Sequence, residues 1–315
     1  MYLKTNTKQT YAYTGAREHR KGLESVVFVH GTGMDHTVWV LPARYFARHG
    51  FNVLATDLPG HGRSEGPPPK TIEAMADAVL AAMDAAEIGT TALIGHSMGS
   101  LVALALAARY PERARSLTLI GTAVPMAVHK ALLSNAARDD HRAIDMLTYW
   151  GYSKAAQLGG NENPGMWMVG GTLRLLEQSK DQVIHMGLDA CSRYNAGIAH
   201  ASAVRCPTLF ILGRRDIMTP ARTGEELAKT VAESKVTILE GTGHSLMMER
   251  PNDVLPTPGG PTKQNIGPLL PCLSFRTARY SKRRSLIFSR PSWSSSSNFL
   301  ARGISMRSRE LLFQG

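Results

Sequence analysis

Cysteine is scarce: Cys191, Cys206 and Cys272 are the three thiols among 315 residues. They are too few and too scattered for a disulfide framework or a thiolate metal site, so a reduced, cytoplasmic compartment is the expectation. Long apolar runs are missing too. The longest, LVALALAA from Leu101 to Ala108, has eight residues, far short of the ~20 that a membrane span requires. No membrane partner is expected, and the opening MYLKTNTKQTYAYTG contains no apolar stretch suited to a secretion signal. Core material is not lacking: 43% of the residues are hydrophobic, which excludes disorder over the whole length.

Charge balance is lacking, and its location matters. The net charge is +11, yet residues 255–315 hold ten basic residues against one acidic, leaving only +2 on residues 1–254. A nucleic-acid partner is therefore not expected for the body of the chain, and any such role would belong to the basic tail. That tail opens with LPTPGGPTKQNIGPLLP, whose five prolines and three glycines forbid a regular element. It carries no sustained period of 3.6 or 2, and residues 255–315 read as a disordered or frameshifted segment.

Before Val254 the pattern is different. Short β-rich runs, SVVFVHG from Ser25, FNVLATD from Phe51, TALIGHS from Thr91, SLTLIGT from Ser116, TLFILG from Thr208 and KVTILEG from Lys235, alternate with helical stretches. The runs are nearly continuous in apolar character, as expected of strands covered on both faces. Between two of them Ile72, Met75, Val79 and Met83 recur at helical spacing, with Gly89 as the expected stop. Strand, helix, strand repeated predicts an α/β fold with a doubly wound, mostly parallel sheet. Regularity fails between about Ala123 and Ala203, where an inserted helical segment fits. The expected division is a core of residues 1–122 and 204–254, a helical cap of 123–203 and the tail.

Chemistry gathers on the loops. Gly95-His96-Ser97-Met98-Gly99 matches G-x-S-x-G between an apolar run and the helical SLVALALAARY, the strand-turn-helix context in which the central serine is strained, exposed and nucleophilic. A serine hydroxyl needs a base, and the base an orienting acid. His244, in the loop after the last predicted strand, is the expected base; Asp216, after TLFILGRR, is the expected acid, with Glu240 or Asp189 as alternatives. All three would sit at the carboxyl ends of strands, where sites on open parallel sheets collect. The oxyanion that develops at the substrate carbonyl needs N–H donors. These are expected from the backbone of Thr32, in the glycine-containing loop His30-Gly31-Thr32-Gly33, and of Met98. His61, His96, Asp35 and His36 match no metal-ligand spacing, and neither metal nor cofactor is expected. GTGMDH lacks the lysine of a phosphate loop.

HGTG, DLPGHGRS from Asp57 to Ser64, GHSMGS, GRRDIMTP from Gly213 to Pro220 and GTGHS, in that order, resemble the α/β-hydrolase fold family, in its capped esterase and C–C-hydrolase-like group. The resemblance spans about residues 26–254. It implies a cap between Thr122 and Thr208, where the periodicity breaks, and a serine nucleophile; relatives that dehalogenate or open epoxides carry aspartate where Ser97 stands.

The segment expected to form the cap is rich in Tyr149, Trp150, Met166, Trp167, Met168, Leu173 and Met186, which supply adaptable apolar walls. His30, Gly31, Trp150, Trp167 and Met168 are the expected substrate contacts. The expected activity is hydrolysis of an ester, lactone or related small carbonyl substrate through an acyl-enzyme on Ser97. A C–C bond hydrolase of the same fold and a non-catalytic binding protein on a hydrolase scaffold are the alternatives. One departure from the family stands out: after MMERPNDVL the family continues into an amphipathic helix, which Pro256, Pro258 and Pro261 interrupt here.

Overall fold

The computed structural model describes residues 1–5, 8–160 and 165–254; every expectation for residues 255–315 lies outside them. Eight strands form one sheet: β1 (Tyr2–Thr5), β2 (Lys8–Tyr13), β3 (Ser25–Val29), β4 (Asn52–Thr56), β5 (Thr91–His96), β6 (Ala114–Ile120), β7 (Thr208–Gly213) and β8 (Ser234–Leu239). Their spatial order is β1-β2-β4-β3-β5-β6-β7-β8. The strands from β4 to β8 run parallel, while β1 and β2 join antiparallel at one edge.

The two edge strands were not anticipated. KQTYAY is only half buried and mixes polar with apolar positions, as suits an antiparallel edge rather than a covered parallel strand. The covered strands divide their side chains between two faces by simple alternation. Val27, Val29, Leu93, Leu117, Leu119, Phe210 and Leu212 enter one core with the helices α2 (Ile72–Ala85) and α3 (Met98–Arg109). Val26, Phe28, Ile94, Ile120 and Ile211 enter the other, with α1 (Val40–Arg48). Helix α2 starts at an N-cap, Thr71, whose hydroxyl accepts from Ala74 N at 3.2 Å. It ends at Ala85, and the left-handed residue that follows is Glu87, φ 55, rather than the expected Gly89.

Among the described residues, six helices run between β6 and β7: α4 (Lys130–Ala137), α5 (His141–Trp150), α6 (Lys154–Gln157), α7 (Met168–Glu177), α8 (Val183–Arg193) and α9 (Gly197–Ala203). The fold is thus a doubly wound, mostly parallel α/β sheet carrying a helical insertion. Leu132, Leu147, Leu176, Ile184 and Leu188 give the insertion a small core of its own, whereas Ala201 of α9 is buried in the larger core of the sheet. After β7 come α10 (Ala221–Ala228), then β8 and the short α11 (Leu246–Glu249) and α12 (Pro251–Val254).

The strand order fixes where a site can form. The chain leaves β3 to one side for β4 and returns to the other side for β5, and the crevice outside the carboxyl ends of such a switch point is the natural ligand site. The loop after β3 and the turn after β5 therefore face each other.

Trp39 is fully buried against Phe28, ring centroids 5.1 Å apart, with its Nε1 unpartnered among the described residues. Trp39→Ala is expected to destabilise the fold by about 3–5 kcal/mol. Trp39→Phe, which removes the unpaired donor and keeps most of the ring, should cost less than about 2 kcal/mol. Urea unfolding of both variants measures the difference.

Candidate active site

The turn after β5 places Ser97 between the strand and α3 with φ 53 and ψ −123. Close packing imposes this conformation, because a Cβ on Gly95 would lie 2.1 Å from Gly99 O and one on Gly99 would lie 2.3 Å from Val29 O. Only glycines let the turn pass so near β3. Ser97 N donates to Ile120 O at 2.9 Å and Ser97 O accepts from Ser100 N at 2.8 Å, so the serine backbone is bonded on both sides while its side chain faces a cavity.

Asp216 and His244 come together from the ends of β7 and β8. His244 Nδ1 donates to Asp216 Oδ2 at 2.8 Å, and both side chains are buried. The Thr219 hydroxyl donates to the same oxygen at 2.6 Å, while Met218 N and Thr219 N donate to Oδ1 at 2.8 Å each. Burial alone would raise the Asp216 pKa, but the charge and hydrogen bond of His244 and the donors of Thr219 outweigh it, holding the carboxyl below its ordinary range. The two alternative acids are elsewhere: Glu240 pairs with Arg214 and Asp189 with Arg193, both at the surface. His244 Nε2 is buried without a hydrogen-bond partner among the described residues. Ser97 and His244 line the same cavity.

That cavity has a volume of about 110 Å³ and opens to solvent. Gly31 and Thr32 from the loop after β3 border it, and a Cβ on Gly31 would lie 3.3 Å from Ser97 Cβ. The N–H groups of Thr32 and Met98 donate to no other group among the described residues. The apolar walls include Met34, Leu132, Leu147, Trp150, Leu176 and Leu188, with Ile217 and Met218 beside the acid loop. No lysine, arginine or carboxylate borders it among the described residues.

Three of the expected substrate contacts are placed elsewhere. Trp167 is 70% exposed. Met168 is buried against Tyr152 and Ala156, a pocket of apolar side chains separate from the cavity. His30 is buried beneath the loop, its Nε2 accepting from Leu58 N at 3.1 Å and its Nδ1 donating to Gly31 O at 2.8 Å. It fixes the loop's shape and has no free nitrogen to offer. The other two, Gly31 and Trp150, border the cavity.

Asp35, His36 and Asp57 bring ligand atoms within 4.8 Å of one another, but Asp57 is already engaged. Its Oδ1 accepts from His36 N and Nδ1 at 2.7 and 2.8 Å, and its Oδ2 from Arg63 N at 2.9 Å. The carboxylate ties the turn DLPGHGRS to the loop after β3. His96, beside the serine, donates from Nε2 to His244 O at 3.0 Å, and burial pushes its pKa down to about 3, so the ring is neutral.

Residues 24–143 match the model of the alpha/beta hydrolase fold. The pimeloyl-[acyl-carrier protein] methyl ester esterase of Neisseria meningitidis serogroup C is 32% identical over 248 residues, covering 71% of this chain and 87% of that protein. The chain belongs to the α/β-hydrolase fold family. The 2-hydroxymuconate semialdehyde hydrolase of a Pseudomonas species is 27% identical, with 71% of this chain and 81% of that protein covered. Among solved structures, the enol-lactonase of Burkholderia xenovorans superposes with a TM-score of 0.72 at 23% identity, over 80% of this chain and 95% of that one. The family's esterases and other hydrolases are thus the protein's relatives, and among the described residues no helix is long and apolar enough to cross a membrane.

One residue of this hydrolase site escaped the sequence reading. Glu249, in α11, is buried and accepts from Gly243 N at 3.0 Å, from Ser153 N at 3.1 Å and from Ser153 Oγ at 2.6 Å. It joins the histidine loop to the helical insertion, and Ser245 N donating to Gly151 O at 2.7 Å makes a second tie. Its position five residues after His244 was the available signal, but its partner Ser153 lies far away in sequence.

Burial raises the Glu249 pKa against the opposing bonds from Ser153 and Gly243. A carboxyl whose folded pKa is raised binds its proton more tightly in the folded state. Its contribution to stability is present below the unfolded value of about 4.3 and is lost as pH rises through the folded value. Glu249→Gln should therefore flatten that part of the stability profile. Glu249→Ala leaves two buried N–H groups unpaired and should cost about 3 kcal/mol. Thermal unfolding of both variants across pH 4 to 8 tests both expectations.

Proposed function

We propose that this α/β-hydrolase is a serine hydrolase that cleaves an ester or lactone with an uncharged apolar acyl part through an acyl-enzyme on Ser97. The observation that carries the reading is the meeting, at one cavity, of a serine with φ 53 and a buried histidine whose Nδ1 is engaged by Asp216 and whose Nε2 has no partner among the described residues.

Ser97 Oγ attacks the substrate carbonyl carbon while His244 Nε2 takes the hydroxyl proton. The carbonyl oxygen gains the negative charge, and the N–H groups of Thr32 and Met98 receive it. His244 then gives the proton to the departing alcohol oxygen as the C–O bond breaks, leaving the acyl group on Ser97. Water attacks that ester, losing its proton to His244, and as the bond to Ser97 Oγ breaks His244 returns that proton to Oγ, which releases the acid and restores the serine. Asp216 holds the imidazole in the tautomer with its proton on Nδ1 and supports the imidazolium when it forms.

A cavity bordered by no lysine or arginine among the described residues favours the ester reading over a C–C hydrolase acting on carboxylate-bearing diketones. An ionised acyl group would lose its water among largely apolar walls, with the exposed imidazole of His129 at the rim in place of a fixed cation. The names of the relatives include both a methyl ester esterase and a 2-hydroxymuconate semialdehyde hydrolase.

Purified protein is expected to hydrolyse p-nitrophenyl hexanoate and to be labelled by a fluorophosphonate, and Ser97→Ala to lose about 10³-fold or more of the turnover together with the label. Unlabelled wild-type protein would support the binding-protein alternative. In a second comparison, kcat/KM for the hexanoate ester should exceed that for the p-nitrophenyl monoester of adipic acid by about 10- to 100-fold. Preference for the adipate ester would overturn the assignment of an uncharged acyl group.

A further inference from the structure

The loop proposed to carry one oxyanion donor does not stand by itself; helix α8 of the insertion lies directly on it. A Cβ added at Gly187 would sit 2.8 Å from Thr32 Cγ2, 3.0 Å from Met98 Sδ and 3.3 Å from Thr32 Oγ1. The backbone of α8 thus touches both residues whose N–H groups face the developing charge. One turn on, the buried thiol of Cys191 borders the same cavity as Thr32 and lies beside its side chain, and burial keeps that thiol protonated, its pKa pushed up to about 12. One turn back, Ile184 reaches the other glycine of the loop, since a Cβ on Gly33 would meet Ile184 Cγ1 at 2.8 Å. Gly33 O also accepts from Ser179 Oγ at 3.1 Å. Ile184, Gly187 and Cys191 follow one another at helical spacings of three and four, so they form one stripe of α8.

We infer that α8 is the positioning element of the oxyanion site, with Gly187 the residue that sets the distance between the insertion and the Thr32 and Met98 donors, and Cys191 the residue that fixes the Thr32 side chain. An oxyanion donor works only if its N–H is already aimed at the place where charge develops, and errors of about 1 Å are costly. The loop Gly31–Gly33 has glycine on both sides of Thr32, so its own backbone resists displacement weakly. Contacts from α8 add to the hold that His30 has on Gly31 O, and they act on Thr32 itself. The insertion therefore contributes to the rate of the chemical step as well as to the walls of the cavity.

The inference rests on the proposed roles of Ser97, Thr32 and Met98, and its test separates the two. In the full chain, Gly187→Ala is expected to lower kcat on p-nitrophenyl hexanoate about 10- to 100-fold with KM within about twofold. Inhibition by phenylboronic acid, whose tetrahedral serine adduct places an oxygen on the same N–H groups, should weaken by a similar factor. Alanine is the better helix former, so α8 itself is not weakened by the change. Gly171→Ala, on α7 of the same insertion where a Cβ meets nothing within 4 Å, should leave both quantities unchanged.

If the wild-type protein takes no fluorophosphonate label, the serine-hydrolase reading fails and this inference with it. If the wild type is labelled and active while folded Gly187→Ala keeps its kcat and its boronate affinity, this inference alone is overturned. Should Gly187→Ala not fold, Cys191 decides. Cys191→Ala is expected to lose about fivefold in kcat, and Cys191→Ser, whose hydroxyl takes the thiol's place beside Thr32, to recover it; equal activity in the two variants overturns the inference.

Discussion

A serine can hold φ 53 and ψ −123 only where the surroundings allow nothing else, because that region is costly for any residue with a Cβ. Here the surroundings are the backbone of β3 and the start of α3, brought so close that positions 95 and 99 have no room for a side chain. The rest of the site follows from this contact. With α3 pressed against β3, the turn after β5 meets the loop after β3 at the switch point of the sheet, and Met98 begins a helix whose first N–H groups have no partner within it. Relaxing the turn would move the serine away from the cavity and turn the Met98 N–H away from it together. Backbone strain at one residue is thus tied to the packing of the central parallel strands, and the stability of the two cores sustains it.

The histidine loop is held by hydrogen bonds as well as by close packing, a Cβ on Gly243 having Ser153 N only 2.6 Å away. Gly243 N is bound by Glu249, His244 O by His96 and Ser245 N by Gly151 O. Three consecutive residues are therefore anchored to three separate parts of the chain, one of them the helical insertion. Glu249 also binds Ser153, so the insertion is fastened to the histidine loop on one side of the cavity, while α8 lies on the loop after β3 on the other. An insertion anchored at both ends of the candidate site cannot tilt without disturbing an N–H donor or the imidazole.

Much of this could be read from the sequence because the informative features are local. G-x-S-x-G between an apolar run and a helical run specifies a strand-turn-helix, and a histidine or an aspartate just after a strand run must emerge at the strand's carboxyl end. The insertion showed itself as a break in periodicity. Its inner face did not, because a methionine or tryptophan in a mixed helical pattern looks the same whether it faces a cavity, a small core or water. Met168 was expected at the substrate and fills a separate core instead, while Leu132, Leu147 and Leu188 line the cavity without any distinguishing sign. Edge strands β1 and β2 escaped because a half-exposed strand has no continuous apolar run. Glu249 escaped because its partner Ser153 is brought near only by the completed fold.

Electrostatics links these parts. The large positive charge of the sequence lies beyond Val254, outside the described residues, and the cavity itself is bordered by no lysine, arginine or carboxylate. Burial keeps His96 neutral, with its pKa lowered to about 3, and likewise His61. On the proposed mechanism, the charges that matter are those created during the reaction, an oxyanion on the substrate and a cation on His244. Both develop in surroundings of low polarisability, where fixed partners act more strongly than they would in water. The oxyanion meets N–H dipoles from Thr32 and Met98, and the imidazolium meets Asp216, whose carboxylate is already held by the hydroxyl of Thr219 and the N–H groups of Met218 and Thr219. A resting positive charge in the cavity would bind an anionic product and slow its release. A cavity bordered by no lysine or arginine among the described residues leaves the reaction's own charges as the principal electrostatic demand on the site.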